Sequence, residues 1–177
     1  MIEQHTQCSI LRALYSYWDR QRSGRVMPDR RDIDPTGLPG NVLPSLAMFD
    51  LIDGAQRVRV RLLGTDVVAR FGRDFTGRFL DEIMIGDYLD YLIGLCREAY
   101  ARRSPIYTEN IFRWQVRQDI VTRRLLLPLA NGDNQPAILL AGLTFDAADD
   151  LLDGPMQFNG MTQRTELKRQ IFDLQSA

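Results

Sequence analysis

Apolar residues recur at helical spacing from Thr6 to about Arg22. Ile10, Leu11, Leu14, Tyr15 and Trp18 form one stripe, and Arg12, Asp19 and Arg20 fall away from it. Gly24 ends that helix. The following segment, GRVMPDRRDIDPTGLPGNVLP, carries Pro28, Pro35, Pro39 and Pro44, which exclude both long helix and central strand. It keeps Val26, Met27, Ile33 and Leu38 among its charges, so an ordered strap over the domain surface is expected. LAMFDLI and RVRVRLL then flank Asp53-Gly54-Ala55-Gln56, a hairpin signal. In the second run Arg57, Arg59 and Arg61 share one face and Val58, Val60 and Leu62 the other.

Helical pattern returns after Gly64. TDVVARFG predicts a short helix, RDFTGRFLDEIM a turn and a second short helix, and Asp87 to Arg103 a longer one. The stripe of that long helix is Leu89, Leu92, Ile93, Cys96, Ala99 and Tyr100, and Ser104-Pro105 stops it. Three long strands follow: IYTENIFRWQV, IVTRRLLLPLA and AILLAGLTF. The last is apolar on both faces and belongs in the middle of a sheet. Beyond Phe145 lies an acidic patch of Asp146, Asp149, Asp150 and Asp153. Leu167, Ile171 and Leu174 then predict a terminal helix from Met161 to about Leu174.

This order predicts an α+β fold built on a five-stranded antiparallel sheet. Helices would cover one face, with the N-terminal helix on the other face or at a dimer interface. The chain divides into residues 1–44 (helix and strap), 45–146 (core) and 147–177 (tail with a helix).

Composition narrows the function. The 177 residues are 45% hydrophobic and 25% charged, which suits one domain with a real core. Basic and acidic residues number 22 and 23, a balance that argues against nucleic acid as the partner. No apolar run reaches membrane-spanning length, and MIEQHTQCSI is not a secretory signal. The expected location is the cytoplasm, with Cys8 and Cys96 as reduced thiols.

The element order and several segments resemble PAS domains. YWDRQRSGRVMPDRRDIDP, LPSLAMFDL, VRLLGTDVVARFGRDFTGRFLDE and RRLLLPLA are similar to a stand-alone alphaproteobacterial PAS-like branch, over roughly Ile10 to Phe145. The resemblance implies a non-catalytic sensory or regulatory module that binds a small ligand, a separate signalling protein, or both. It implies a pocket between the helices and the inner sheet face. Phe71, Phe79, Leu92, Cys96, Phe112, Arg113, Trp114 and Arg124 are the candidates to line it, with Arg113 or Arg124 holding an anionic ligand. PAS proteins often dimerise through flanking helices, which makes Leu11, Leu14, Tyr15 and Trp18 candidates for a homodimer surface. Packing of that stripe on the chain's own sheet is the other expectation, and the two can coexist.

No cofactor is specified. His5, the only histidine, precedes the folded region, which argues against histidine-ligated haem. GRDFTGRFLD contains no cysteine for a flavin adduct. Cys96 fits a small core residue better than a haem thiolate. No catalytic residue and no metal site is expected: Cys96 has no histidine partner, and neither Asp32 with Asp34 nor Asp149, Asp150 and Asp153 follows a calcium-loop pattern. Two alternatives remain open. One is a ligand-free interaction scaffold with a filled core. The other is a small enzyme using buried carboxylates such as Asp66 or Glu109.

Overall fold

The computed structural model describes residues 2–114, 118–147 and 164–172; the side chains of residues 3, 112–119, 147 and 164 lie outside the description. Helix α1 (Ser9–Arg22) is followed by the strap, three short 3-10 turns, and the hairpin β1 (Leu46–Ile52) and β2 (Arg57–Leu63). Helices α2 (Thr65–Phe71), α3 (Leu80–Ile83) and α4 (Asp87–Arg102) come next. Strands β3 (Ile106–Trp114), β4 (Gln118–Ala130), β5 (Pro136–Ala147) and β6 (Arg164–Ile171) complete the chain. The sheet is antiparallel in the order β2-β1-β5-β4-β3-β6, so the all-apolar β5 is central, as its pattern requires.

The sheet has six strands where five were expected. The predicted terminal helix is a correction: residues 164–171 form β6 along the outer edge of β3. An unpaired strand edge offers a row of open backbone groups, and pairing with it outweighs a narrow local stripe. The register slips between Glu109 and Asn110, so Leu167 has no opposite residue and is 52% exposed. The remaining residues of the tail, including Asp149, Asp150, Asp153 and Leu174, lie outside the described residues.

Each sheet face has its own core. On one face, Leu11, Leu14 and Trp18 of α1 pack with Tyr107, Leu125, Leu127 and Leu140, and Met27, Ile33, Leu38 and Val42 of the strap join them. Close approach is allowed by Gly142 of β5, where a Cβ would lie 2.6 Å from Leu11 Cδ2 and 2.8 Å from Leu14 Cδ2. The strap is held by Tyr17, whose hydroxyl donates to Asp34 O (2.7 Å) and accepts from Asp34 N (2.8 Å). On the other face, α2, α3 and α4 pack over Ala47, Val60, Leu126, Leu139 and Ala141. The arginine row of β2 meets acidic neighbours. Asp50, opposite Arg59, bonds both Arg59 (2.8 Å) and Arg61 (3.0 Å), and Arg57 forms a bidentate pair with Asp81.

Candidate ligand pocket

The helices between β2 and β3 do not fill the face they cover. A cavity of about 60 Å³ lies between α2, α3 and α4 and the strands β1, β2, β4 and β5. By the space one water needs, it holds about four to six water-sized groups. Phe71 and Phe75 wall it from the α2 side, Leu92 and Cys96 from α4, and Phe49, Leu143 and Phe145 from the sheet. Phe71 meets the Phe145 ring edge-on at 5.8 Å between centroids.

One end of this cavity is polar. Arg124, 5% exposed, donates to the Tyr88 hydroxyl at 3.1 Å and to Thr108 Oγ1 at 3.5 Å. Its presence follows from strand parity: Leu125 and Leu127 face α1, so Arg124 and Leu126 face α4. Across β3 the same face carries Thr108, opposite Arg124, and Asn110, opposite Thr122. All four side chains are buried. Asn110 Oδ1 and Glu166 Oε2 both lie within hydrogen-bond reach of the Tyr91 hydroxyl, at 3.0 and 2.8 Å. Asn110 Nδ2 and Thr122 Oγ1 find no hydrogen-bond partner among the described residues.

Burial pushes the Cys96 thiol up to about 12, the nearby Arg124 charge offsetting this in part. A thiol so protonated is neither nucleophile nor thiolate ligand near neutral pH. Burial also raises Tyr88, again opposed by Arg124, so its hydroxyl keeps its proton.

Four of the residues singled out by sequence line the cavity: Phe71, Leu92, Cys96 and Arg124. Phe79 does not and is a correction. It precedes α3 at the sheet edge, where its ring lies 3.7 Å under the Arg57 guanidinium. The side chains of Phe112, Arg113 and Trp114 lie outside the described residues. Leu11, Leu14, Tyr15 and Trp18 are 0–8% exposed within the single chain, so their stripe is covered by the sheet and strap and presents no free dimer surface. The carboxylates considered for an enzyme are also corrected: Asp66 is exposed, and Glu109 is only half-buried, bonded to the Tyr107 hydroxyl on the α1 side. Sequence reasoning missed the lining residues Phe49, Phe75, Tyr88, Leu143 and Phe145, and did not foresee Thr108 opposite Arg124 or Asn110 opposite Thr122 on the same sheet face. The one available signal was the loss of alternation in Thr108-Glu109-Asn110, polar on both faces of a long strand.

Among the described residues, no three histidine, cysteine or carboxylate groups converge as a metal site, and no helix is long and apolar enough to cross a membrane.

An open antiparallel sheet, with a run of helices inserted after its first hairpin and a pocket beneath them, defines a sensory-type α+β module. A family model described as PAS domain matches residues 6–144, and the chain belongs to the PAS domain family. Membership makes it a sensory or regulatory module in general. No curated protein and no solved structure matches the chain.

Proposed function

We propose that the chain is a non-catalytic sensory module that binds a small, mostly apolar ligand between α2–α4 and the sheet, and passes the event to a separate signalling protein. The observation that carries this reading is the aromatic-walled cavity ending at Arg124 and Tyr88. A ligand acts by favouring one arrangement of α2–α4 over another, and only to the extent that it binds that arrangement better. The three helices are suited to respond, because α2 and α3 are short and meet the cavity through side chains that are only half-buried, such as Phe71, Phe75 and Ile83.

Native mass spectrometry of the purified chain, followed by analysis of molecules released on denaturation, tests it. A stoichiometric small molecule supports the reading. A ligand-free chain whose cavity also takes up no small aromatic probe by NMR leaves the interaction scaffold as the better description. The same spectrum reports whether the chain is a homodimer. A dimer would have to form through a surface other than the covered stripe of Leu11, Leu14, Tyr15 and Trp18.

A further inference from the structure

A second concavity, open and of about 490 Å³, lies on the α1-facing side of the sheet, where the strap meets the ends of β1 and β2. It is lined by Met48 and Leu140 of the sheet, Ile33 and Leu43 of the strap, and Leu62 of β2. Gly64 brings strap and strand together: a Cβ there would lie 2.3 Å from the Pro44 carbonyl oxygen. The register slips between Met48 and Phe49, so Leu62 pairs with Met48 and leaves the face that Val58 and Val60 share. Leu43 is 39% exposed and Leu62 43%, and both belong to this one groove. Single exposed leucines are ordinary, but two on one concave apolar surface mark a contact site.

Arg30 is the one charged residue of the lining. Other arginines of the strap are paired, Arg25 with Asp32 at 2.6 Å and Arg31 with Asp29 at 3.1 Å. Arg30 forms no ion pair among the described residues. Its Nη1 donates to Ile33 O at 3.3 Å, and its Nε is buried without an acceptor among those residues. The carboxylates of the adjoining strap and strand are engaged: Asp34 accepts from Thr36, and Asp50 holds Arg59 and Arg61. A cation with a spare donor beside an apolar surface suits a partner that brings an acceptor and apolar side chains together.

We infer that this groove docks a segment of the separate signalling protein, one that sets apolar side chains against Met48, Leu140 and Leu62 and a carboxylate on Arg30. The inference rests on the reading of the chain as a module that signals to another protein, and adds the surface and the chemistry of the segment. A small molecule fits less well. Ligand sites bury most of their ligand, whereas the exposed rim of Leu43 and Leu62 leaves this groove open along one side.

The test is titration of the full chain with a panel of capped hexapeptides, built from leucine, isoleucine and phenylalanine with either one glutamate or one lysine. Amide NMR shifts and calorimetry read the binding in the wild type, Arg30→Gln and Leu62→Gln. Glutamate peptides should shift the amides of Leu62, Gly64 and Thr65 and bind about tenfold more tightly than their lysine counterparts. Arg30→Gln should erase that preference and keep the weaker apolar binding. Leu62→Gln should weaken both peptide sets about tenfold with the amide spectrum otherwise preserved, because this side chain is exposed. If no peptide shifts these amides, the docking surface falls. Equal binding of the two sets overturns the role of Arg30. Shifts of the same amides on concentrating the chain alone assign the groove to a second copy and overturn the partner reading. Toluene binding there, with no peptide bound, assigns it to a small molecule and does the same. The wild-type comparison decides even where a variant does not fold. A chain that carries a released small molecule but takes no peptide loses only this surface, and the cavity reading stands.

Discussion

The indole Nε1 of Trp18 donates to the carbonyl oxygen of Pro128 at 2.9 Å, joining α1 to a strand 110 residues further along the chain. The bond answers a specific need. Strand β4 runs past the end of β3, whose first residue, Ile106, lies opposite Leu126. Residues 128–130 therefore have no β3 neighbour, and their outward backbone groups need other partners. Trp18 supplies one to Pro128, and Pro28 O of the strap accepts from Ala130 N at 3.0 Å. Helix, strap and strand end thus close one another.

Trp18→Phe should lower stability by about 2–3 kcal/mol. It removes part of a fully buried side chain and leaves the Pro128 carbonyl buried without its donor. Urea unfolding should show a lower midpoint at unchanged slope. A loss under about 0.5 kcal/mol would mean that the bond contributes little.

Gly142→Ala should destabilise by about 1–3 kcal/mol, because the new Cβ meets Leu11 and Leu14 well inside contact distance. Adding Leu11→Ala should recover part of that loss by opening space. Calorimetric melting of the two single variants and the double checks this. Strict additivity would show that the residues do not touch.

Cys96 should resist thiol reagents in the folded chain, since burial holds its proton up to about 12, while the half-buried Cys8 should label first. The same shift has a pH consequence. A thiol raised on folding contributes stability that is fully present below its unfolded value, near 9, and lost as pH rises toward 12. The expected slope is about 1.4 kcal/mol per pH unit in that window, and Cys96→Ala should remove it between pH 9 and 10. Tyr107, likewise raised to about 12 by burial, adds a further loss above pH 10 in both proteins.

The strap should loosen in acid. Asp32 is held below the ordinary carboxylate range chiefly by Arg25, Asp29 chiefly by Arg31, and Asp34 chiefly by the Thr36 amide. Carboxylates lowered on folding contribute stability above their unfolded value, near 3.8, and lose it as pH falls through the lower folded value. The amide protons of Thr36 and Gly132, which donate to Asp34 and Asp29, report this directly. Their NMR shifts should titrate with midpoints below 3.8. Midpoints at or above that value would show that the carboxylates are not engaged in solution.

Local pattern carried much of the fold. The hairpin of β1 and β2 was legible because strand alternation and an Asp-Gly turn are properties of neighbouring positions; the exception is Leu62, expected on the core face but 43% exposed where the register slips opposite Met48 and Phe49. The stripe of α1 marked the face it buries, whereas of the stripe expected on α4 only Cys96 and Ala99 are buried, alongside Tyr88, Tyr91 and Leu95; the run of apolar residues from Ala137 to Leu143 placed β5 at the sheet centre. Arg124 was named, with Arg113, because an inward-pointing arginine fork can hold an anion; that Arg124 rather than its neighbour Arg123 faces the cavity was decided by strand register.

What local pattern did not carry was pairing. A helical stripe at Leu167 and Ile171 gave way to a strand, because an open edge on β3 offered hydrogen bonds that no short-range signal announces. Phe79 looked like a pocket aromatic and became a platform for Arg57, since the turn before α3 sets it on the sheet edge. Asn110 and Thr122 are ordinary polar residues in their own strands. Only the antiparallel register puts them opposite one another, and only α4 lying over them makes that pair buried. The sequence by itself determined the element order as far as β5 and the two-faced sheet, because those follow from side-chain periodicity, and its motif segments carried the family likeness. The tertiary structure decided the sixth strand, the covering of the α1 stripe and the polar end of the pocket, because each depends on contacts between residues far apart in the chain.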